Sequence, residues 1–443
     1  MILLINPKTT KPSEIQSEFF REPNLGILYI AAMLDKYGID VDILDLEHYS
    51  ELSEISLRDI IIENIRDKII IGITSLTNTF DLALKIVNIV KEYSKEKFIV
   101  LGGPHVSFYY KEILQSTKNV DYICVGEGEE SFLQLSRVLM DYNDIKPQNY
   151  EDKIEKIRGL AFNNSNNRLI FTGYPDFIDI EIIPLPARYK LESNGYYRVA
   201  NIIINRGCPY HCSFCSRQKL FKNVRIRTID SILSEIRDII AYQNYTYINF
   251  YDNINIETSF FKGFLNMFLE NKINMPWGCE LRVDSITDDQ AYLLSNAGCR
   301  LVATGIESAS IEVLKQNLKY QNPRDVMNGI INLKKYDIPI QAYFVLGLPG
   351  ETEATFNHTL EFIKKLPFGA DDKINYFIAT PYPGSRLWEE KDKFNIEIIE
   401  KDFTKYDCQH IIFETPDLKK EILEKLYQKA KAIELYFQNK SNN

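Results

Sequence analysis

At 443 residues, with 45% hydrophobic and 26% charged side chains, the chain has the composition of an ordinary globular protein with more than one domain. Its net charge of −9 excludes the broad positive field that nucleic-acid binding requires. Seven cysteines, an odd number without a secretory pattern, fit a reduced compartment and not a disulfide framework.

The N-terminal run Met1 to Pro7 is apolar but shorter than a signal-peptide core, and it lacks a basic flank. No segment approaches the ~18 apolar residues of a membrane span. A cytoplasmic protein is expected. Short apolar runs at Ile2 to Ile5, Val41 to Leu44, Ile69 to Ile73, Phe98 to Leu101 and Tyr122 to Val125 read as strands. Helical patterns near 25–37, 52–66, 80–94, 107–115 and 129–142 separate or follow them. Nearly continuous apolar strands alternating with helices predict a parallel sheet covered on both faces. Residues 1–145 therefore read as a Rossmann-like, doubly wound α/β domain. Ligands of such sheets sit beyond the carboxyl ends of the strands. The loops Thr74-Ser75-Leu76-Thr77, Gly102-Gly103-Pro104-His105 and Gly126-Glu127-Gly128-Glu129 fall there. A plain turn after a strand is the alternative for Gly102 and Gly103.

Over residues 146–195 the periodicity weakens, with a turn at Asn163 to Asn167 and breakers at Pro184 and Pro186, which reads as a linker carrying a small hairpin. A second alternation fills 196–395, with strands at 200–204, 247–251, 277–281, 300–305, 340–345 and 374–379. Six such units predict a partial (β/α)6 barrel with its site at the carboxyl ends of the strands. Residues 396–443 form a helical region in which Ile422, Leu426, Ala430, Ile433 and Phe437 recur at helical spacing, a packing stripe.

The most informative motif directly follows the first strand of that second domain. Cys208, Cys212 and Cys215 lie at spacings of four and three in one short loop, Arg206 to Cys215. Thiolates are the usual ligands of iron–sulfur clusters. Three of them on a four-iron cubane leave one iron open, and an open position marks a reactive metal centre. Structural zinc is the alternative, but it takes paired clusters of ligands. Here Cys124, Cys279, Cys299 and Cys408 stand alone, and His211 sits where the loop must turn.

Cys208-Pro209-Tyr210-His211-Cys212-Ser213-Phe214-Cys215 resembles the CxxxCxxC signature of radical S-adenosylmethionine (SAM) enzymes, and the order of domains is similar to the cobalamin-binding-domain subgroup. Pro23 to Ala32, Leu101 to His105, Val125 to Glu129, Val224 to Arg227, Phe250 to Asn253, Arg282 to Asp284, Gly305 to Ser308 and Gly347 to Thr352 carry the likeness along nearly the whole chain. The resemblance implies a 4Fe–4S cluster on Cys208, Cys212 and Cys215, and SAM on its open iron. It also implies Arg282 at the SAM carboxylate and Glu307 with Ser308 at its polar groups. A salt bridge is the alternative for Arg282 and for Glu307. Ser75, Gly102, Gly103, His105 and Gly126 are the implied cobalamin contacts, with His105 a loop or tail contact and not a cobalt ligand. The DxHxxG motif is absent, since the first strand runs into Asn6-Pro7-Lys8-Thr9.

The function implied is a cobalamin-dependent radical SAM methyltransferase acting on an unactivated carbon or phosphorus centre of a small molecule or peptide. An external electron donor such as flavodoxin or ferredoxin is implied with it. Two alternatives stay open: an enzyme with the same cofactors that cyclises, contracts a ring or oxidises without methyl transfer, and a cluster and cobalamin sensor without turnover.

Overall fold

The computed structural model describes residues 1–9, 21–49, 52–141, 150–191, 195–242 and 244–440. They fall into two compact units, Met1–Glu18 with Pro23–Tyr196, and Phe19–Glu22 with Tyr197–Asn443.

In the first unit, β1 (Ile2–Asn6) leads through α1 (Leu25–Lys36), β2 (Val41–Asp45), α2 (Glu54–Ile65), β3 (Ile70–Thr74), α3 (Phe80–Tyr93), β4 (Phe98–Gly102), α4 (Pro104–Ser116), β5 (Tyr122–Cys124) and α5 (Glu129–Met140). A short helix α6 (Tyr150–Glu155) and the hairpin β6 (Leu160–Asn163) and β7 (Leu169–Phe171) complete it. The sheet runs β2-β1-β3-β4-β5-β6-β7, parallel as far as β5 and antiparallel for the last two strands. Ile2, Leu3, Leu4 and Ile5 are all buried, which is why β1 shows no polar alternation: helices cover both faces. One such cover is α3, which buries Phe80, Ala83, Ile86, Val87 and Val90 at spacings of three and four. At the start of α1 the Asn24 side chain accepts from the Gly26 and Ile27 amides, an N-cap. Helix α4 starts at Pro104, earlier than its apolar pattern, because Pro suits a first helical position and Gly103 turns the chain ahead of it. β1 pairs with β2 on one side and β3 on the other, so the strand order reverses there and opens a crevice at their carboxyl ends.

In the second unit, β8 (Val199–Ile202) is followed by β9 (Asn205–Arg206), α7 (Arg217–Phe221), β10 (Arg225–Ile226) and α8 (Ile229–Tyr242). Then β11 (Tyr247–Asn253), α9 (Thr258–Glu270), β12 (Trp277–Glu280), α10 (Asp288–Asn296), β13 (Cys299–Glu307), α11 (Ile311–Gln316) and α12 (Pro323–Lys334) continue the alternation. It closes with β14 (Ile340–Leu346), α13 (Glu353–Lys364), β15 (Lys373–Ile378), α14 (Arg386–Glu389), β16 (Glu397–Ile398), β17 (Phe413–Glu414) and α15 (Lys420–Lys440). The six main strands pair in sequence, all parallel, from β8 at one edge to β15 at the other. The sheet is therefore an open barrel. β9 and β10 form a separate short antiparallel pair flanking the cysteine loop.

Along β14 burial alternates strictly: Ile340, Ala342, Phe344 and Leu346 pack outward against helices, while Gln341, Tyr343 and Val345 line the concave face. Behind β11 and β12 the packing is aromatic, with Phe250, Phe264, Phe268 and Trp277 meeting mainly edge to face. Trp277 Nε1 finds its partner in the Ala297 carbonyl at 2.8 Å. Helix α15 covers β15: Leu426, Ala430 and Phe437 are buried as the stripe predicts, but Leu423 is buried while Ile422 is 37% exposed. Glu434 anchors that helix by accepting from the Tyr376 amide.

Candidate functional site

At the carboxyl end of the first sheet the loops after β3 and β4 are stitched together. The Ser75 amide donates to the Gly102 carbonyl at 2.9 Å, and the His105 amide to the Ser75 carbonyl at 3.3 Å. Gly103 has φ +100°, and a Cβ there would lie 2.7 Å from the Ser75 carbonyl oxygen. Glycine is therefore required by both conformation and space. Gly102 differs: among the described residues nothing lies within 4 Å of the position a Cβ would take, so the backbone is open to an approaching ligand. Ser107 links the loops, donating to the Gly103 carbonyl at 2.8 Å and accepting from the Gly126 amide at 2.9 Å. Gly126 is itself in the left-handed region, with φ +85°. His105 is 1% exposed between Phe80 and Tyr109, with Nδ1 3.2 Å from the Thr77 hydroxyl. Burial pushes its pKa down to about 3, so the imidazole is neutral.

In the second unit the cysteine loop leaves the carboxyl end of β8. Gly207 is left-handed, φ +87°, and a side chain there would collide with the Asn223 carbonyl. The loop is pinned at its middle. The Ser213 amide donates to the Asn317 carbonyl at 2.9 Å, the Ser213 hydroxyl to Asn317 Oδ1 at 2.8 Å, and the Leu387 amide to the Ser213 carbonyl at 3.0 Å. Asn317 Nδ2 in turn donates to the Val313 carbonyl at 2.8 Å and the Pro349 carbonyl at 2.9 Å. One wholly buried asparagine thus joins the cysteine loop to the Gly347-Leu348-Pro349-Gly350 loop after β14.

The three cysteines lie close enough to feel one another. Burial pushes the Cys212 thiol up to about 11, with Cys215, Glu307 and Cys208 adding to the rise and Lys319 opposing it. Cys215 shows surface, yet its thiol is also pushed up, first by desolvation, because that surface lines a crowded concavity; the Arg217 amide acts against the rise. Among the described residues no three His, Cys, Asp or Glu side chains close to the grip of a single ion.

The remaining predicted residues differ in how they are held. Glu307 has φ +63°, a left-handed non-glycine at the bulged end of β13. Strain of this kind collects at functional positions. Its carboxylate accepts from Lys319 Nζ at 2.6 Å, each side chain being 9% exposed, and the same ammonium donates to the Gly305 carbonyl at 2.7 Å. Ser308 is fully buried and faces Thr359, with its Oγ 3.2 Å from the threonine hydroxyl. Arg282 forks onto Asp284 at 3.1 and 2.6 Å, donates to the Tyr320 carbonyl at 2.7 Å and stacks over the Tyr210 ring at 4.2 Å. The salt bridge is therefore formed, and the guanidinium also meets Tyr210 of the cysteine loop. Asn317 and Lys319 carry no signal in the sequence. A lone Asn after a short helix reads only as a cap, and a lone Lys only as surface.

Comparison with known proteins agrees with this arrangement. A family model for the B12 binding domain matches residues 19–136, and one for the radical SAM superfamily matches residues 202–363. An uncharacterised methyltransferase of Pyrococcus horikoshii is 28% identical over 92% of this chain and 86% of its own length. An anaerobic magnesium-protoporphyrin IX monomethyl ester cyclase of Rubrivivax gelatinosus is 28% identical over 91% of this chain and 71% of its own. The radical SAM methyltransferase TsrM of Kitasatospora setae, solved with cobalamin and a 4Fe–4S cluster, superposes with a TM-score of 0.75 at 16% identity, covering 96% of this chain and 90% of that one. No helix among the described residues is long and apolar enough to cross a membrane. With a doubly wound cobalamin-type domain ahead of an open parallel barrel that carries the three-cysteine loop, the chain belongs to the radical SAM enzymes that contain a B12-binding domain.

Proposed function

We propose that the chain is a cobalamin-dependent radical SAM methyltransferase acting on an unactivated carbon or phosphorus centre of a small molecule or peptide. The observation that carries this is the pinned Cys208, Cys212, Cys215 loop at the carboxyl end of the first barrel strand, in a chain that also has the doubly wound domain. When bound, the cluster supplies the electron that cleaves SAM and the corrin supplies the methyl group.

The protein's part is to hold and orient. The three thiols would ligate the cluster, with Asn317 fixing the loop that presents them. Lys319, beside Cys212, offsets the negative charge gathered there. Arg282 would meet the SAM carboxylate by sharing itself with Asp284, since a guanidinium accepts a second planar partner. Glu307, set in a left-handed conformation and charge-paired, would take the amine or a ribose hydroxyl, and buried Ser308 would hold its turn. In the first unit, Gly102 leaves the space and Gly103 and Gly126 make the turns that a corrin tail needs, with Ser75 lining them. His105, neutral and wedged between aromatic rings, shapes the loop without reaching metal. An external electron donor such as flavodoxin or ferredoxin, acting in a reducing cytoplasm, completes the assignment.

The test is anaerobic turnover of the reconstituted full chain with methyl-labelled SAM. Label in the product, with S-adenosylhomocysteine and 5′-deoxyadenosine formed together, is the expected result. The cyclase among the relatives motivates a second reading. Rearranged or oxidised product without label or S-adenosylhomocysteine would establish that reading and overturn methyl transfer.

A further inference from the structure

The concave face of the barrel holds a group of residues that none of the roles above uses. Glu22 belongs to the second unit, although it lies far from the barrel in sequence. Its Oε1 accepts from Asn249 Nδ2 on β11 at 2.9 Å, and the Tyr251 hydroxyl lies beside the same carboxyl. Among the described residues its Oε2 is buried without a hydrogen-bond partner, a costly arrangement for a carboxyl unless something else fills the place. Tyr251 and Tyr247 stand on the same face of β11, Glu280 on β12 and Tyr343 on β14. At Gly278 a side chain would strike the Tyr247 hydroxyl, so glycine there makes room for that ring. The charges felt at Tyr343 are those of Glu280 and Glu22, both acidic. Tyr251 is 42% exposed, yet its phenol is pushed well up, by burial first and then by Glu22: the surface it shows lies inside a crowded concavity.

Carboxyls walled by tyrosine rings are the chemistry that recognises an organic cation, through charge-assisted hydrogen bonds and cation–π attraction. We propose that the substrate carries a cationic amine, which Glu22 Oε2 binds on the concave face of the barrel between Tyr247, Tyr251 and Tyr343. The inference rests on the reading of the barrel as the substrate chamber. Burial raises the Glu22 carboxyl to about 7, so before the amine arrives it is partly protonated near neutrality. Entry of the cation favours the carboxylate and expels that proton. Affinity is then full above about pH 7 and falls roughly tenfold for each unit below it. The other ionisable groups at this face are Glu280, Tyr247, Tyr251 and Tyr343, with Cys299, Cys279 and Arg300 acting on Tyr247 and Arg21 preceding Glu22 in the chain.

The test uses the reconstituted full chain with SAM, and n-butylammonium against n-butanol as probes, followed by titration calorimetry in two buffers of different protonation enthalpy. Butylammonium is expected to bind at least about tenfold tighter than butanol, and to release a proton on binding near pH 6 but not near pH 8. Glu22→Gln is expected to lose about tenfold in butylammonium affinity and all of the proton release, while Glu22→Asp, which keeps a carboxyl, retains the release. Equal binding of the two probes, or unchanged butylammonium affinity in an E22Q protein with native circular dichroism, would overturn the inference. The same samples are assayed for 5′-deoxyadenosine. Its formation without amine preference overturns the amine assignment alone, whereas its absence in the wild type overturns the radical SAM reading beneath it.

Discussion

Gly102 and Gly103 are adjacent, yet replacing each by alanine should have opposite consequences. Gly103 sits at φ +100°, ψ 173°, a region that costs a side-chain-bearing residue about 1–3 kcal/mol. Its new Cβ would lie 2.7 Å from the oxygen and 2.9 Å from the nitrogen of Ser75. Both are backbone atoms held by the bonds from the Ser75 amide to Gly102 and from the His105 amide to Ser75, so no flexible side chain can swing aside. Losing one of those bonds costs about 1 kcal/mol more. Gly103→Ala should therefore destabilise the first unit by about 3 kcal/mol or more. At Gly102 φ is not positive and no described residue lies within 4 Å of the added carbon, so Gly102→Ala should change stability by less than about 0.5 kcal/mol. If a corrin tail approaches that backbone, however, the methyl group should weaken hydroxocobalamin binding about tenfold, or about 1.4 kcal/mol. Urea unfolding of the full chain with circular dichroism gives the first pair of numbers, and titration of the corrin absorbance gives the second. A Gly103→Ala protein as stable as wild type would refute the steric argument, and wild-type corrin affinity in Gly102→Ala would refute the assignment of that space.

Asn317→Ala removes the partners of the Ser213 hydroxyl and the Pro349 carbonyl. It should cost about 2–4 kcal/mol and lower the iron content after reconstitution, read by unfolding and by metal analysis. Glu351 is buried and accepts from the Gly347 amide at 2.6 Å, and burial raises its carboxyl to about 8 from the ordinary 4.5. The folded chain holds that proton more tightly than the unfolded one, so the contribution is complete below pH 4.5 and is lost as the pH rises through about 8. Glu351→Gln, which keeps an acceptor oxygen, should flatten that decline, read from urea midpoints at about pH 6 and about pH 9.

Much of this architecture was legible in the sequence because short apolar runs such as Ile2 to Ile5, alternating with longer helical patterns, read as strands covered on both faces, and the three cysteines at spacings of four and three admit few chemistries. Expected and observed strands differ by a residue or two at their ends, where pairing and not composition decides. The supports of the site were another matter. Asn317 lies 104 residues from the Ser213 it holds, and Glu22 lies 227 residues from Asn249. Such pairings leave no periodic trace. The left-handed turn at Glu307 was equally hidden, since a glutamate gives no sign that its backbone is strained. The contact of the Ser308 hydroxyl with Thr359 is likewise set by packing and carries no sequence signal.

The central claim is that Cys208, Cys212 and Cys215 together build the centre that cleaves SAM. Full-length protein, reconstituted anaerobically with iron and sulfide and reduced in the presence of SAM, should hold about four irons and release 5′-deoxyadenosine. A variant with all three cysteines changed to alanine should do neither, while Cys124→Ala, buried in the first unit, should do both. Release of 5′-deoxyadenosine by the triple variant, or its absence from iron-loaded wild type, would contradict the claim.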